Sequence, residues 1–206
     1  MDQSFLVRGL AVGFSIAAPV GPIGVLCIRH TLTQGRLYGF ASGLGAATAD
    51  AVYGTVAGFG LTVVSDLLVS HQTWLRLIGG LFLCWLGVKS FMANPTQRTA
   101  PTNRGALTGV YLSTLLLTLT NPMTILSFAA VFAGLGLGGA MDYTGAAWLV
   151  LGVFLGSAAW WLVLSGGVGL FREKLGNQQL RWVNRISGIV IAGFGLFCLK
   201  DFFIGG

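Results

Sequence analysis

The sequence predicts an all-α integral membrane protein, with six transmembrane helices forming two inverted three-helix repeats. Three observations lead there. Hydrophobic residues fill 54% of the 206 positions and charged residues only 9%. The apolar residues fall into six runs that each approach the roughly 20 residues needed to cross a bilayer. The first and fourth runs are interrupted in their middles by proline.

Ordinary soluble domains carry about 25% charged residues. Twelve basic and six acidic side chains cannot cover a water-facing surface of this size, and mean hydropathy is +0.80. Such a composition excludes a soluble enzyme, a nucleic-acid module and a disordered regulator. Continuous apolar runs also exclude the strand alternation of an outer-membrane barrel. The net charge of +6 reads as loop Lys and Arg on the cytoplasmic side. Asp2 precedes any basic residue, so the N-terminal run reads as a retained helix and not a signal peptide.

The six expected spans cover residues 5–27, 37–64, 74–92, 106–135, 145–170 and 182–202. The stretch 93–105 is polar and carries prolines. It reads as a linker between repeat one, about 1–92, and repeat two, about 106–206, within a single transporter domain. Arg29, Arg36, Lys89, Arg98, Arg104, Arg172, Lys174, Arg181 and Arg185 follow odd-numbered spans, against Arg8, Arg76 and Lys200 on the other side. That bias makes the odd-numbered connections cytoplasmic and both termini extracytoplasmic. Three helices per half then invert the second half relative to the first. The glycine pairs Gly39/Gly43, Gly54/Gly58 and Gly152/Gly156 have the small-xxx-small spacing of close helix packing. Such faces can pack within one chain or between copies, so a homo-oligomer stays open.

In the first run, GFSIAAPVGPIGVLCIRH, Pro19 and Pro22 fall mid-span; in the fourth, STLLLTLTNPMTILSFAAVF, Asn121 and Pro122 do. Proline removes a backbone donor and disfavours helix in the residue before it. Gly21-Pro22 and Asn121-Pro122 read as helix starts, with a capping residue followed by proline at the first helical position. Backbone groups freed inside hydrocarbon are tolerated where protein buries them or a wet cavity receives them. Two restarted N-termini, each with roughly half a positive charge, would converge near the midplane and suit a carboxylate. The alternative is a pair of simple proline kinks.

Asp50 lies midway along the second span, with no Lys or Arg expected at its depth; Arg29 and Lys89 are the nearest candidates. Removing a carboxylate from water penalises its charged form. Asp50 is therefore the candidate proton-coupling residue and a partner for a substrate ammonium. Its structural alternative is a carboxyl hydrogen-bonded to Thr48 and Tyr53. The fifth span places Trp160 and Trp161 where the second has Asp50, and Trp160 is taken with Tyr53 into the candidate site. One of the two tryptophans would face the cavity as a gate or cation–π surface, or both would simply pack. Cys27, Cys84 and Cys198 lie in separate runs without metal spacing and read as inert buried thiols. His30 and His71 fall near span ends and read as solvated or interfacial. No catalytic residue, metal site or cofactor is expected.

The Pro19–Pro22 break, the glycine-rich span carrying Asp50, the Asn121-Pro122 break and the Gly/Trp fifth span together resemble the lysine-exporter family, which includes homoserine/threonine and arginine exporter branches. The resemblance covers nearly the whole chain. It implies a non-enzymatic, six-helix carrier of the bacterial inner membrane that moves amino acids or similar solutes outward with proton or potential coupling. Its site would be Pro19, Gly21, Pro22, Asp50, Asn121 and Pro122. The sequence departs from the family pattern at Val20, Ile23 and Met123, which leaves a neutral or more apolar solute as open as a basic one. Competing readings are a divalent-metal exporter, which one mid-span acid serves poorly; an intramembrane redox or lipid enzyme, which lacks a visible nucleophile–base pair; and a structural subunit.

Overall fold

The computed structural model describes residues 3–19, 21–59, 71–93, 104–121, 124, 125, 127, 128 and 143–204. Within them the chain forms seven α-helices: α1 (Gln3–Ala17), α2 (Pro22–Gln34), α3 (Arg36–Gly58), α4 (Gln72–Phe91), α5 (Arg104–Leu119), α6 (Tyr143–Gly169) and α7 (Asn177–Ile204). A short 3-10 turn (Arg172–Lys174) joins the last two, and no strand occurs among the described residues.

Local chemistry sets the boundaries. Gly21 caps α2, with Pro22 in its first turn, and the axes of α1 and α2 are bent by 80°. Helix α2 runs to Gln34, seven residues beyond the expected end of the first span. In its polar half Thr31 and Thr33 donate to the carbonyls of Cys27 and Arg29, one turn earlier, so both hydroxyls are satisfied within the helix. His30 Nδ1 lies 3.1 Å from Gln34 Oε1, also one turn away. His30 is buried, contrary to the solvated position expected, because α2 ends only at Gly35. Gly35 has φ +119° and lets α2 turn directly into α3.

The six expected spans are found only in part. Helices α6 and α7 are each long and apolar enough to cross a bilayer, and α1 with α2 makes a third span if counted as one bent element. The apolar parts of α4 and α5, Leu77–Phe91 and Gly105–Leu119, are shorter. Helix α3 has 23 residues but is built largely of Gly, Ala and Ser. It occupies the centre of the bundle, packed on α6, α5 and α2, so it has little need of lipid-facing Leu and Phe. The expected continuation of the second span past Phe59, most of the 93–105 linker and the end of the fourth span lie outside the described residues.

The most extensive packing joins α1 to α6 and α4 to α7, followed by α3 with α6 and α3 with α5. Glycine makes the first two seams close. A Cβ on Gly9 or Gly13 would meet the α6 backbone at Leu149 or Val153, and one on Gly152 or Gly156 would meet the α1 backbone at Leu6 or Leu10. In the second seam Gly80 meets Gly195, and Gly87 meets Gly188. Apolar side chains gain nothing by leaving lipid for protein, so backbone proximity takes over the cohesive role. Hydrogen bonds supplement it between α3 and α5: Ser42 to Thr114 at 2.8 Å and Tyr111 to Thr48 at 2.9 Å.

Trp74, Ile78, Leu81, Trp85 and Val88 form an exposed apolar stripe along α4, and Ile186, Ile189, Leu196 and Phe197 another along α7. Water would not tolerate patches of this extent on a monomeric soluble protein. Replacing Gly152 by Ala is expected to force α1 and α6 apart and to cost about 1–3 kcal/mol, read as a lower thermal-unfolding midpoint in detergent. Gly109 has open space around its Cβ position. There the same change is expected to be neutral or to stabilise by up to about 1 kcal/mol.

Candidate functional site

Asp50 is 3% exposed on the face of α3 that meets α6. A lone carboxylate there requires a donor, and the sequence offers several hydroxyls nearby. The structure selects one: the Ser157 hydroxyl of α6 donates to Asp50 Oδ2 at 2.6 Å. The expected partners are committed elsewhere. Thr48 donates to the Leu44 carbonyl and accepts from Tyr111, while Tyr53 donates to the Leu119 carbonyl at 2.6 Å. Trp161, one turn beyond Ser157, donates its indole N–H to the Ser157 oxygen at 3.1 Å. Asp50, Ser157 and Trp161 thus form a continuous buried chain across the α3–α6 seam.

The two cations considered for Asp50 also turn away. Arg29 Nε donates to Asn184 Oδ1 of α7 at 3.1 Å, and Asn184 in turn donates to the Ala93 carbonyl. Lys89 Nζ lies 4.8 Å from the centroid of the Trp85 ring. Among the described residues no group of three His, Cys, Asp or Glu gathers in metal-binding fashion.

Asp50 borders a cavity of about 250 Å³ at the junction of α1 and α2. Its polar lining is Asp50, with Thr118, Asn121, Thr124 and Ser127 from the end of α5 and the segment after it. Its apolar lining is Ile16, Ala17, Ile23, Ala46, Trp161 and Phe194. Pro19, Gly21, Pro22 and Gly24 complete the lining, so the first turn of α2 borders the space. The two interruptions share a backbone register. Val25 N donates to Gly21 O at 3.0 Å, and Ile125 N to Asn121 O at 3.2 Å.

Of the residues singled out in the sequence, the cavity gathers Pro19, Gly21, Pro22, Asp50 and Asn121. Pro122 lies outside the described residues. Tyr53 does not line the cavity; its ring packs at 5.5 Å from that of Phe128 and its hydroxyl closes the α3–α5 seam. Trp160 does not line it either, and stands edge-on to Phe14 with centroids 5.3 Å apart. Trp161 takes the lining position instead. Helix α6 is apolar around its whole circumference, so periodicity could not choose between adjacent tryptophans. The one available signal was the i, i+4 spacing of Ser157 and Trp161, which puts them on a single face.

The family model for the LysE type translocator matches residues 14–201. The chain belongs to this family. Similar proteins include the threonine efflux protein of Salmonella typhi, 28% identical over 190 residues (85% of this chain, 88% of the relative). The threonine efflux protein of Escherichia coli strain K12 is 26% identical over 203 residues (95% and 97%). The leucine efflux protein of Klebsiella pneumoniae is 26% identical over 201 residues (93% and 92%). No solved structure matches. Family membership and the exposed apolar helices make this translocator a membrane protein.

Tyr53→Phe is expected to lower stability by about 1 kcal/mol through loss of the bond to Leu119. Solute selectivity should not change, since the hydroxyl does not reach the cavity. Thermal unfolding and solute competition measured on the same preparation check both parts.

Proposed function

We propose that this translocator exports neutral amino acids across the bacterial inner membrane by alternating access, with a proton moving inward for each solute moved out. The observation that carries the reading is the mixed lining of the cavity, which joins a buried acid and several hydroxyl and amide groups to apolar side chains. An amino acid has the same mixed character: a charged ammonium and carboxylate at one end, a side chain at the other. Asp50 serves the ammonium. The first turn of α2 at Pro22 borders the space, and its partial positive charge suits the carboxylate; a second such turn beyond Asn121 and Pro122 would complete the pair. A basic side chain would need another anion, and Asp50 is the one acid in the lining among the described residues.

Alternating access asks for two halves that move against one another about a central site. The packing pattern supports inverted halves. If the first three spans exchange with the last three, the α1–α6 seam exchanges with α3–α5, and the α4–α7 seam maps onto itself. The glycine contacts obey the same exchange: Gly80 with Gly195 becomes Gly188 with Gly87. Basic residues collect at one end, where Arg172 approaches Gly35, Arg36 approaches Gly169, and Arg29 meets Asn184. By the positive-inside rule that end is cytoplasmic, which puts the start of α1 and the end of α7 on the outer side.

In this scheme Asp50 holds the solute ammonium while charged. A proton arriving from outside neutralises the carboxylate, weakens that contact and releases the solute outward. Return of the proton to the inner side readies the site again.

Asp50→Asn keeps the shape and the bond from Ser157 but removes the charge. Amino-acid efflux from proteoliposomes is expected to fall roughly ten- to hundred-fold, matching the roughly 1.5–3 kcal/mol of a hydrogen bond to a charged group. Undiminished proton-coupled flux in this variant would rule out the role assigned to Asp50.

A further inference from the structure

We propose that Trp161 sets which amino-acid side chains this translocator accepts, and that Ser157 positions it for that task. The inference rests on the amino-acid export reading above.

Trp161 is buried and borders the cavity, yet its single donor is spent on Ser157. The ring therefore has only apolar surface to offer a solute. It is also fixed at its root: a Cβ on Gly43 of α3 would collide with the Cβ and Cγ of Trp161, so the side chain sits directly on the α3 backbone. A ring anchored at its base and at its N–H is a rigid wall. With Phe194 it lines a cavity of about 250 Å³. Rigid apolar walls discriminate by size, by about 10- to 200-fold per methylene that fits badly.

Ser157 gives this wall its reference point. One hydroxyl both donates to the carboxylate that would take the ammonium and accepts from the indole that would meet the side chain. The two ends of an amino acid are thus measured from the same atom. Loss of the hydroxyl frees the ring to swing and leaves Asp50 without its donor, which blurs selectivity as well as weakening binding.

The test uses the full chain in proteoliposomes, with alanine, threonine, leucine and phenylalanine compared as competing solutes. Trp161→Ala is expected to raise the phenylalanine-to-alanine ratio of transport efficiency about tenfold or more. Trp161→Phe, which keeps a ring and loses the N–H, guards against a folding failure of the smaller variant. It is expected to move the ratio in the same direction by about threefold. Ser157→Ala should match Trp161→Phe, and Ser157→Thr, which retains a hydroxyl, should restore wild-type selectivity. A common loss for all four solutes in the Trp161 variants, with the ratio unchanged, overturns the inference. So does equal selectivity of Ser157→Ala and Ser157→Thr. If the wild-type chain moves none of the four, the export reading itself fails, and this inference with it.

Discussion

One buried contact organises the centre of this protein: the hydroxyl of Ser157 on the carboxyl of Asp50. A buried carboxylate is costly unless something hydrogen-bonds to it. That requirement fixes the register of α3 against α6. Once the register is set, Gly43 comes beneath Trp161, and the indole turns its N–H to the same serine. The cavity wall is a by-product of satisfying the acid. This explains why a helix as short of bulky residues as α3 can lie at the middle of the bundle: its specificity of packing comes from polar pairs and from close approach.

Outside that pair, cohesion follows rules that differ from those of a water-soluble core. The largest seams, α1 with α6 and α4 with α7, are lined by glycines that let backbones touch. Large apolar side chains are turned outward along α4 and α7 instead. A soluble protein distributes the same residues the other way round. The α3–α5 seam uses a third device, side-chain hydroxyls bonded across the gap. Such bonds are modest in a membrane, about 0.6 kcal/mol on average. Their number in one seam makes them a matter of alignment more than of strength.

Fold class was legible because composition decides it: nine charged residues per hundred leave no soluble solution. The burial of Asp50 was legible too, since it stands in the middle of a long apolar run. Its partner was not. Thr48 and Tyr53 are closer in sequence, but both face α5, and Ser157 arrives from 107 positions away. Sequence could not choose Trp161 over Trp160 because α6 offers no polar face from which to set a phase. His30 was misplaced for a related reason: counting apolar residues ended the first span near Cys27, whereas α2 runs on to Gln34 with its polar hydroxyls satisfied inside the helix. The count of six spans suffers from the same dependence on apolarity, since α3 is buried by neighbours and needs little of it.

The bend between α1 and α2 has a consequence for biogenesis. At about 1.5 Å per residue, the 13 residues of α2 reach only some two-thirds of the way through a hydrocarbon layer about 30 Å thick. Helix α1, set at 80° to it, cannot extend the rod. A nascent chain therefore cannot hand this first segment to the bilayer as a finished rod while the ribosome continues. The polar turns of α2 need α3 alongside before they leave the aqueous channel of the insertion machinery, and the positive φ of Gly35 makes that pairing immediate. Delayed release of the first fifty or so residues, as a folded hairpin, follows from this geometry.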